Sequence, residues 1–198
     1  MATDIAQVLG NLMSFYDFSS KSVVHVGAGG GQLVGYAVVA RSIVAVDPDA
    51  AAVARLHAVV DVLHLGSRFT VRQAEFESIS DRADVVFFEF CLHEMRDPAE
   101  ALRYARTLAS EILVIDHAPD SRWAWHTAET EKAQRSWAAV EQAGIRAERH
   151  YSGWQHFGDG EALLQRVESL GEPAVSRARA FAAATKIEIA MTYRIALL

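Results

Sequence analysis

Short apolar runs along this chain are separated by stretches whose apolar residues recur every three or four positions. Five of the runs predict β-strands, at 22–27, 42–46, 69–71, 84–90 and 112–116. The stretches between them predict helices, at about 32–40, 47–61 and 97–109. Strands that alternate with helices indicate an α/β fold with a parallel sheet and right-handed crossovers.

Both ends of the chain extend this pattern. Residues 2–18 have helical spacing and predict an N-terminal helix over the core. After the fifth strand the pattern predicts a long helix at 121–143, a strand at 145–157, helical segments within 159–183 and a final strand at 186–198. We expect a single domain over 1–198, in which 1–20 is the covering helix and 119–160 covers the substrate.

The composition is that of an ordinary globular domain. Of 198 residues, 51% are hydrophobic and 22% are charged, and no apolar run approaches the roughly 20 residues that span a bilayer. The net charge of −6 argues against non-specific electrostatic binding of DNA or RNA. Cys91 is the single cysteine, which excludes an internal disulfide, and Met1–Asp4 lacks the basic start of a signal peptide. We therefore expect a cytoplasmic protein that binds neither nucleic acid nor membrane.

The first predicted strand runs into a glycine-rich turn at 27–31. Glycine has no Cβ, so such a turn can adopt positive φ and let a ligand lie against the backbone. A helix that starts at Gln32 would point unpaired N–H groups at that ligand. Asp47 ends the next strand, 20 residues after Gly27, where a carboxylate can bind ribose hydroxyls. The two features together predict a site for a nucleoside or nucleotide.

The glycine spacing narrows the choice of ligand. Dinucleotide-binding loops follow G-x-G-x-x-G, which would require glycine where Gln32 or Val34 stands. A nicotinamide-dependent oxidoreductase is therefore disfavoured. The spacing present is G-x-G-x-G, on Gly27, Gly29 and Gly31, and it resembles motif I of the class I S-adenosylmethionine-dependent methyltransferases. An ordinary strand–helix turn is the simpler alternative for the glycines alone.

A second stretch carries the same resemblance. Residues 92–102 conform at eleven consecutive positions to L-H-x-x-x-D-P-x-x-A-L, a pattern of small-molecule methyltransferases related to the quinone-biosynthesis enzymes. The resemblance covers about 20–118. It implies a Rossmann-like seven-stranded sheet with helices on both faces and a C-terminal antiparallel strand inserted between the fourth and fifth strands. It also implies methyl transfer from S-adenosylmethionine to a small molecule.

The resemblance assigns cofactor contacts to the ends of the strands. The residues that would border the methionine and ribose portion are Gly27, Ala28, Gly29 and Gly31. Asp47 would bind the ribose hydroxyls, because a carboxylate accepts two charge-assisted hydrogen bonds from a vicinal diol. Pro48 would lie beside the adenine.

Three more contacts follow from the same resemblance. Glu75 and Phe76 would lie near the adenine, and Glu89 and Phe90 would face the amino-acid portion of the cofactor. Tyr16, at the end of the first helix, would either close over the cofactor or pack in the core.

One position departs from the family pattern. The family usually has an acidic residue two positions before the first glycine, and His25 stands there. This substitution puts the usual contact to the methionine end in doubt. It supports an alternative function, a protein of the same fold that binds the cofactor or a metabolite without transferring a methyl group.

His93 is the candidate catalytic base. A neutral imidazole with a reference pKa of about 6.5 accepts a proton near neutral pH. His93 followed by Asp97 repeats the spacing of the base in plant O-methyltransferases, and it slightly favours O-methylation, because a hydroxyl must lose its proton. The alternatives are that His93 caps the next helix or packs under the cofactor.

The second half of the chain is rich in histidine and aromatic residues. Four histidines there (His117, His126, His150 and His156) lack metal-binding spacing, so we expect no metal. The aromatic residues that would line a planar-substrate pocket or pack under helices are Trp123, Trp125, Tyr151, Trp154 and Phe157. The three arginines Arg166, Arg177 and Arg179 are expected on a solvated helix face.

Overall fold

A mixed seven-stranded sheet forms the centre of the protein in a computed structural model that describes residues 4–198. The strands are β1 (Ser22–Val26), β2 (Ser42–Asp47), β3 (Phe69–Gln73), β4 (Val85–Glu89), β5 (Glu111–His117), β6 (Ala147–Phe157) and β7 (Ile187–Leu197). Their order across the sheet is β3-β2-β1-β4-β5-β7-β6. Strands β1 to β5 are parallel, and β7 is antiparallel to both of its neighbours. The predicted α/β sheet with an antiparallel C-terminal strand is confirmed.

The predicted position of the last strand is wrong. Strands β4 and β5 pair directly, with Val86 opposite Ile112, and β7 lies between β5 and β6 instead. β4 is buried along its length and β5 almost so, and parallel strands joined by a helical crossover pair well side by side. β6 and β7 form an 11-residue antiparallel ladder, which places β7 next to β5 and leaves β6 at the edge.

Helices cover both faces of the sheet, as predicted. The helices are α1 (Ile5–Phe15), α2 (Ala50–Val62), α3 (Pro98–Leu108), α4 (Arg122–His126), α5 (Thr130–Ala143), α6 (Gly160–Val167) and α7 (Glu172–Arg179). In β4, Val85 and Phe87 point to a core shared with α1, α2, α6 and α7. Val86 and Phe88 point to a second core shared with α3 and α5. The alternation arises because successive strand side chains face opposite sides of a sheet.

Three predicted helices differ from the structure. The segment at 32–40 forms only a short 3-10 helix, Val34–Val38. The segment at 121–143 is divided into α4 and α5 by a turn in which Ala128 has a φ of 64°. The predicted helix start at residue 2 lies outside the described residues, and α1 begins at Ile5 after Asp4, whose side chain accepts a hydrogen bond from the N–H of Gln7.

The segment 119–160 was expected to cover the substrate, and most of it belongs to the layers of the fold. α5 packs on α3, and β6 is the edge strand of the sheet. None of the helices within 4–198 is both long and apolar enough to cross a membrane.

Candidate functional site

A cavity of about 500 Å³ opens at the carboxyl ends of the central strands. This is the edge at which parallel α/β sheets bind ligands. One part of its wall follows β1, β2 and β4 and consists of Gly27, Gly29, Gln32, Leu33, Asp47, Glu89, Phe90 and Cys91. The other part comes from α1 and from the second half of the chain and consists of Ile5, Val8, His117, Trp123, Gln155, Arg166 and Met191. We call these parts the glycine-loop wall and the far wall.

The glycine turn is shaped by its own hydrogen bonds. Gly27, Gly29 and Gly31 have φ values of 69°, 51° and 79°, a region that favours glycine. The N–H of Gly27 donates to the carbonyl of Val46, and that of Gly31 donates to the carbonyl of Ala28. The predicted helix start at Gln32 is wrong, because the helix that follows is a 3-10 helix beginning at Val34. The predicted contact of its N–H groups with a ligand stays a prediction. Gly27 has no room for a side chain, because a Cβ there would lie 2.5 Å from the Cβ and Sγ atoms of Cys91.

Asp47 ties the end of β2 to this turn. Its Oδ2 atom accepts a hydrogen bond from the N–H of Gly29 at 2.9 Å, and its Oδ1 atom accepts one from the N–H of Asp49 at 2.9 Å. A carboxylate has about four lone-pair sites, so two bonds leave acceptor capacity on both oxygens. Asp47 is half-buried and lines the cavity. Its position fits the ribose diol expected from the sequence.

Glu89 brings a second carboxylate to the glycine-loop wall. It is 6% exposed, and its Oε2 atom lies 2.8 Å from Nε2 of His25. Neither of these two atoms has another hydrogen-bond partner in the part of the chain that the structure describes. Burial raises the pKa of Glu89, and the facing imidazole opposes that rise. Glu89 thus places a buried carboxyl group, with few hydrogen-bond partners, at the floor of the cavity.

His25 itself lies beneath the cavity. It is fully buried, its ring stacks on Phe87 with centroids 4.7 Å apart, and its Nδ1 atom lies 3.0 Å from the hydroxyl of Tyr36. The family acid is therefore absent from position 25, while Glu89 places an acidic group above His25. This arrangement was not visible in the sequence, because it joins two neighbouring strands.

Cys91 is a neutral thiol at this wall. Its Sγ atom donates to the carbonyl of Val26 at 3.3 Å. Burial, together with Asp116 and Glu89, raises the pKa of the thiol well above its usual value. Cys91 therefore fills space against Gly27 and is not poised as a nucleophile.

His93 does not fit the role of a free base. It is 3% exposed, and its Nδ1 atom lies 2.6 Å from Oδ1 of Asp116. Burial lowers the pKa of His93, but Asp116, Glu129 and Glu94 together outweigh burial and raise it to about 12. The imidazole is protonated in the folded protein and is absent from the cavity wall. These contacts favour a structural role for His93, and its catalytic role stays a prediction. The cap of α3 comes from Asp97.

His93, Glu94 and Glu129 bring ligand-type atoms within 4.8 Å of one another. Two cations already occupy this cluster, because His93 is protonated and Nζ of Lys132 lies 2.7 Å from Glu94. The hydrogen bond from His93 holds the pKa of Glu94 well below its usual range. A protonated imidazole has no lone pair for a metal, so we interpret the cluster as an ion-pair network.

The other predicted cofactor residues lie in different environments, in the cavity wall, at the surface or in the core. Phe90 lines the cavity, and Pro48 and Glu75 are exposed, so their predicted contacts with adenine stay predictions. Phe76 is 2% exposed and packs edge-on against Phe88 and Tyr104, which corrects its predicted place in the pocket to the core.

Tyr16 packs in the core, which is the second of its two predicted roles. Its hydroxyl donates to Oε2 of Glu111 at 2.6 Å, and Glu111 begins β5. The amino ends of the parallel strands lie at the edge opposite the cavity. The start of α1 covers the cavity instead, through Ile5 and Val8.

The sequence reasoning missed most of the far wall. Of the five aromatic residues singled out, Trp123 lines the cavity and Phe157 stacks behind it at 5.6 Å, whereas Trp125 and Trp154 are exposed. Arg166 is exposed on α6, as expected, and it also lines the cavity.

His117, one of the four histidines in the second half of the chain that lack metal-binding spacing, is also part of the far wall. It is 8% exposed, and its Nδ1 atom is buried without a hydrogen-bond partner among residues 4–198. Burial is the main cause that lowers the pKa of His117 to about 4, so the imidazole is neutral near pH 7. Only its position at the end of β5 could have signalled this role.

Comparison with known proteins places this geometry in a family. A family profile described as methyltransferase domain matches residues 1–171. No curated protein matches the chain at a significant level. The YcgJ protein from Bacillus subtilis is similar in structure, with 15% identity, a TM-score of 0.68, and coverage of 96% of this chain and 98% of its own.

Two further solved structures are similar over nearly the whole chain. A SAM-dependent methyltransferase from Aquifex aeolicus has 18% identity and a TM-score of 0.62, and the match covers 99% of this chain and 90% of that one. The magnesium protoporphyrin IX methyltransferase from Synechocystis PCC 6803, solved with bound SAH, has 12% identity and a TM-score of 0.57. This match covers 97% of this chain and 80% of that one. At these identities the structures support the fold alone.

Proposed function

Because the chain belongs to the methyltransferase-domain family and has the class I methyltransferase sheet, we propose that it transfers the methyl group of S-adenosylmethionine to a small-molecule acceptor. The observation that carries this proposal is the pair of carboxylates, Asp47 and Glu89, on either side of the bare backbone at Gly27. A nucleoside diol would bind at Asp47. The ammonium group of an amino-acid tail would bind near Glu89, where the acid is short of partners.

The cofactor supplies an activated methyl group on a sulfonium centre. The residues of the chain would then hold donor and acceptor in line and exclude water from the reacting atoms. The apolar side chains of Ile5, Val8, Leu33 and Met191 line the cavity and suit water exclusion. Gly27 lines the same cavity with backbone alone, so the donor can lie against it.

A small acceptor agrees with the shape and charge of the protein. The far wall is made by α1, α4, α6, β5 and β7 together with Gln155 of β6, so the cavity is bounded by side chains on several sides. The net charge of −6 disfavours a polynucleotide substrate. O-methylation remains our preference, although its support no longer comes from His93. The expected cytoplasmic location rests on the composition alone and stays a prediction.

Calorimetry with S-adenosylhomocysteine, the demethylated cofactor, tests the proposal. We expect saturable binding of this compound and of S-adenosylmethionine, and no binding of NAD, which serves as the matched control. Turnover is then followed as S-adenosylhomocysteine formed in the presence of a panel of hydroxylated and aminated small molecules. Absence of heat and of a thermal shift with both cofactor forms would contradict the proposal.

The alternative of binding without catalysis is favoured by two observations. The predicted base His93 is locked in an ion-pair network, and the family acid at position 25 is replaced by the buried His25. Tight binding of the demethylated cofactor combined with no turnover over the whole panel would support this alternative. Turnover of any acceptor would dismiss it.

A further inference from the structure

Arg166 gives the far wall a positive charge at its solvent-exposed side. It lies on α6, and its guanidinium carbon is 6.0 Å from the centre of the Trp123 ring. Arg166 forms no ion pair with any residue from 4 to 198, whereas Arg194 is paired with Glu141 and Glu148. An unpaired guanidinium beside an apolar cavity is suited to a planar anionic group, because its donors match a carboxylate in a bidentate fork.

His117 gives the same wall a hydrogen-bond acceptor. Its ring packs against Phe90 with centroids 4.9 Å apart, at the end of β5. Because Nδ1 is shut off from solvent, Nε2 is the ring nitrogen that is left to face the cavity. The charged and titratable groups around it are Asp116, His93, Glu129 and Arg166. With the proton on Nδ1, the lone pair of Nε2 is open to a hydroxyl group.

Flat apolar surfaces lie between these two polar groups. The Trp123 ring is 3% exposed and is backed by Phe157 at an interplanar angle of 28°. Phe90 and Met191 line the same cavity. Arg166 and His117 both line this cavity of about 500 Å³, so one small molecule can contact both. Rigid aromatic walls favour a planar ligand over a flexible one.

We propose that the acceptor is a hydroxylated aromatic carboxylate, with its carboxylate bound by Arg166 and its hydroxyl group directed at Nε2 of His117. This proposal rests on the proposed function. The hydroxyl oxygen attacks the methyl carbon, the carbon–sulfur bond breaks, and its electron pair stays on sulfur as a neutral thioether. The hydroxyl proton passes to Nε2 and then to solvent. A weakly basic imidazole suffices, because the hydroxyl becomes strongly acidic as its bond to the methyl group forms.

The first test measures the preference for an anion. Calorimetry on the protein saturated with S-adenosylhomocysteine compares 4-hydroxybenzoate and 3,4-dihydroxybenzoate with their primary amides. We expect each acid to bind at least about ten-fold more tightly than its amide, which is the size of one charge-assisted interaction. Arg166→Gln should abolish the difference, and Arg166→Lys should restore part of it. Arg149→Gln, at an exposed position on β6, is the matched control and should leave the difference unchanged.

The second test concerns the hydroxyl group. His117→Gln should lower kcat about 100-fold with little change in KM for the acid, whereas His156→Gln at an exposed position should change neither. Equal binding of acids and amides, or no binding of either acid at millimolar concentration, would overturn the proposal. So would a His117→Gln variant with full turnover. If the unsubstituted protein does not bind S-adenosylhomocysteine, the proposed function itself is refuted. Failure of the acceptor proposal and failure of the proposed function are therefore distinguishable.

Discussion

Nδ1 of His93 lies 2.6 Å from Oδ1 of Asp116, and the backbone N–H of His93 donates to Oδ2 of the same carboxylate at 2.9 Å. The N–H of His117 also donates to Oδ1. Asp116 thereby fixes the segment after β4 to the end of β5, next to the cavity. The leucine–histidine pattern that suggested a catalytic base serves to hold two strand ends together.

The pair of His93 and Asp116 predicts a pH-dependent stability. The folded-state pKa of about 12 lies above the reference value of about 6.5, so the stabilisation is complete below about pH 6.5 and is lost as the pH rises towards 12. Between pH 7 and 9 the free energy of unfolding should fall by about 1 kcal/mol per pH unit relative to a His93→Gln variant. Urea unfolding of both proteins at several pH values measures this. Parallel stability profiles for the two proteins would contradict the prediction.

Gly27 should not tolerate even the smallest side chain. Gly27→Ala places a Cβ 2.5 Å from Cys91 on a backbone with a φ of 69°, so it adds a clash to a strained conformation. We expect a loss of about 2 kcal/mol or more in the free energy of unfolding. Gly10→Ala in α1, where a Cβ meets nothing within 4 Å, is the matched control and should be neutral or slightly stabilising. A Gly27→Ala variant as stable as Gly10→Ala would disprove the close approach.

The buried pair of His25 and Glu89 predicts a strong coupling. His25→Phe leaves the Glu89 carboxylate without its facing group and should cost about 3 kcal/mol of stability. The double variant His25→Phe with Glu89→Leu removes both polar groups and should recover most of that loss. A double-mutant cycle by thermal unfolding measures the coupling. Additive effects of the two substitutions would show that the pair does not interact.

Asp47 and Glu89 should act on different parts of the cofactor. Asp47→Asn removes the charge at the ribose position, so it should weaken the binding of both adenosine and S-adenosylhomocysteine by about ten-fold or more. Glu89→Gln should weaken S-adenosylhomocysteine alone, because adenosine has no ammonium group. Calorimetry with the two ligands on both variants gives the four affinities. Equal losses for both ligands in Glu89→Gln would place its carboxylate elsewhere than at the amino-acid end.

The order of the elements could be read from the chain because strand and helix periodicities are local. The apolar residues of β4 and the glycine spacing before Asp47 gave the sheet and the position of the cavity. The 3-10 helix Val34–Val38 was missed, since the apolar spacing of the segment does not separate one helical type from another. The place of β7 was missed because strand order depends on contacts distant in sequence.

The sequence by itself determined the α/β class, the glycine turn at Gly27 and the carboxylate at Asp47, because each depends on residues close together in the chain. Only the tertiary structure decided that His93 is paired with Asp116, that Tyr16 lies at the opposite edge, and that His117 and Arg166 share the cavity. The physical reason is that the charge and burial of a side chain depend on neighbours brought by other strands and helices. The spacing of residues along the chain does not predict those neighbours.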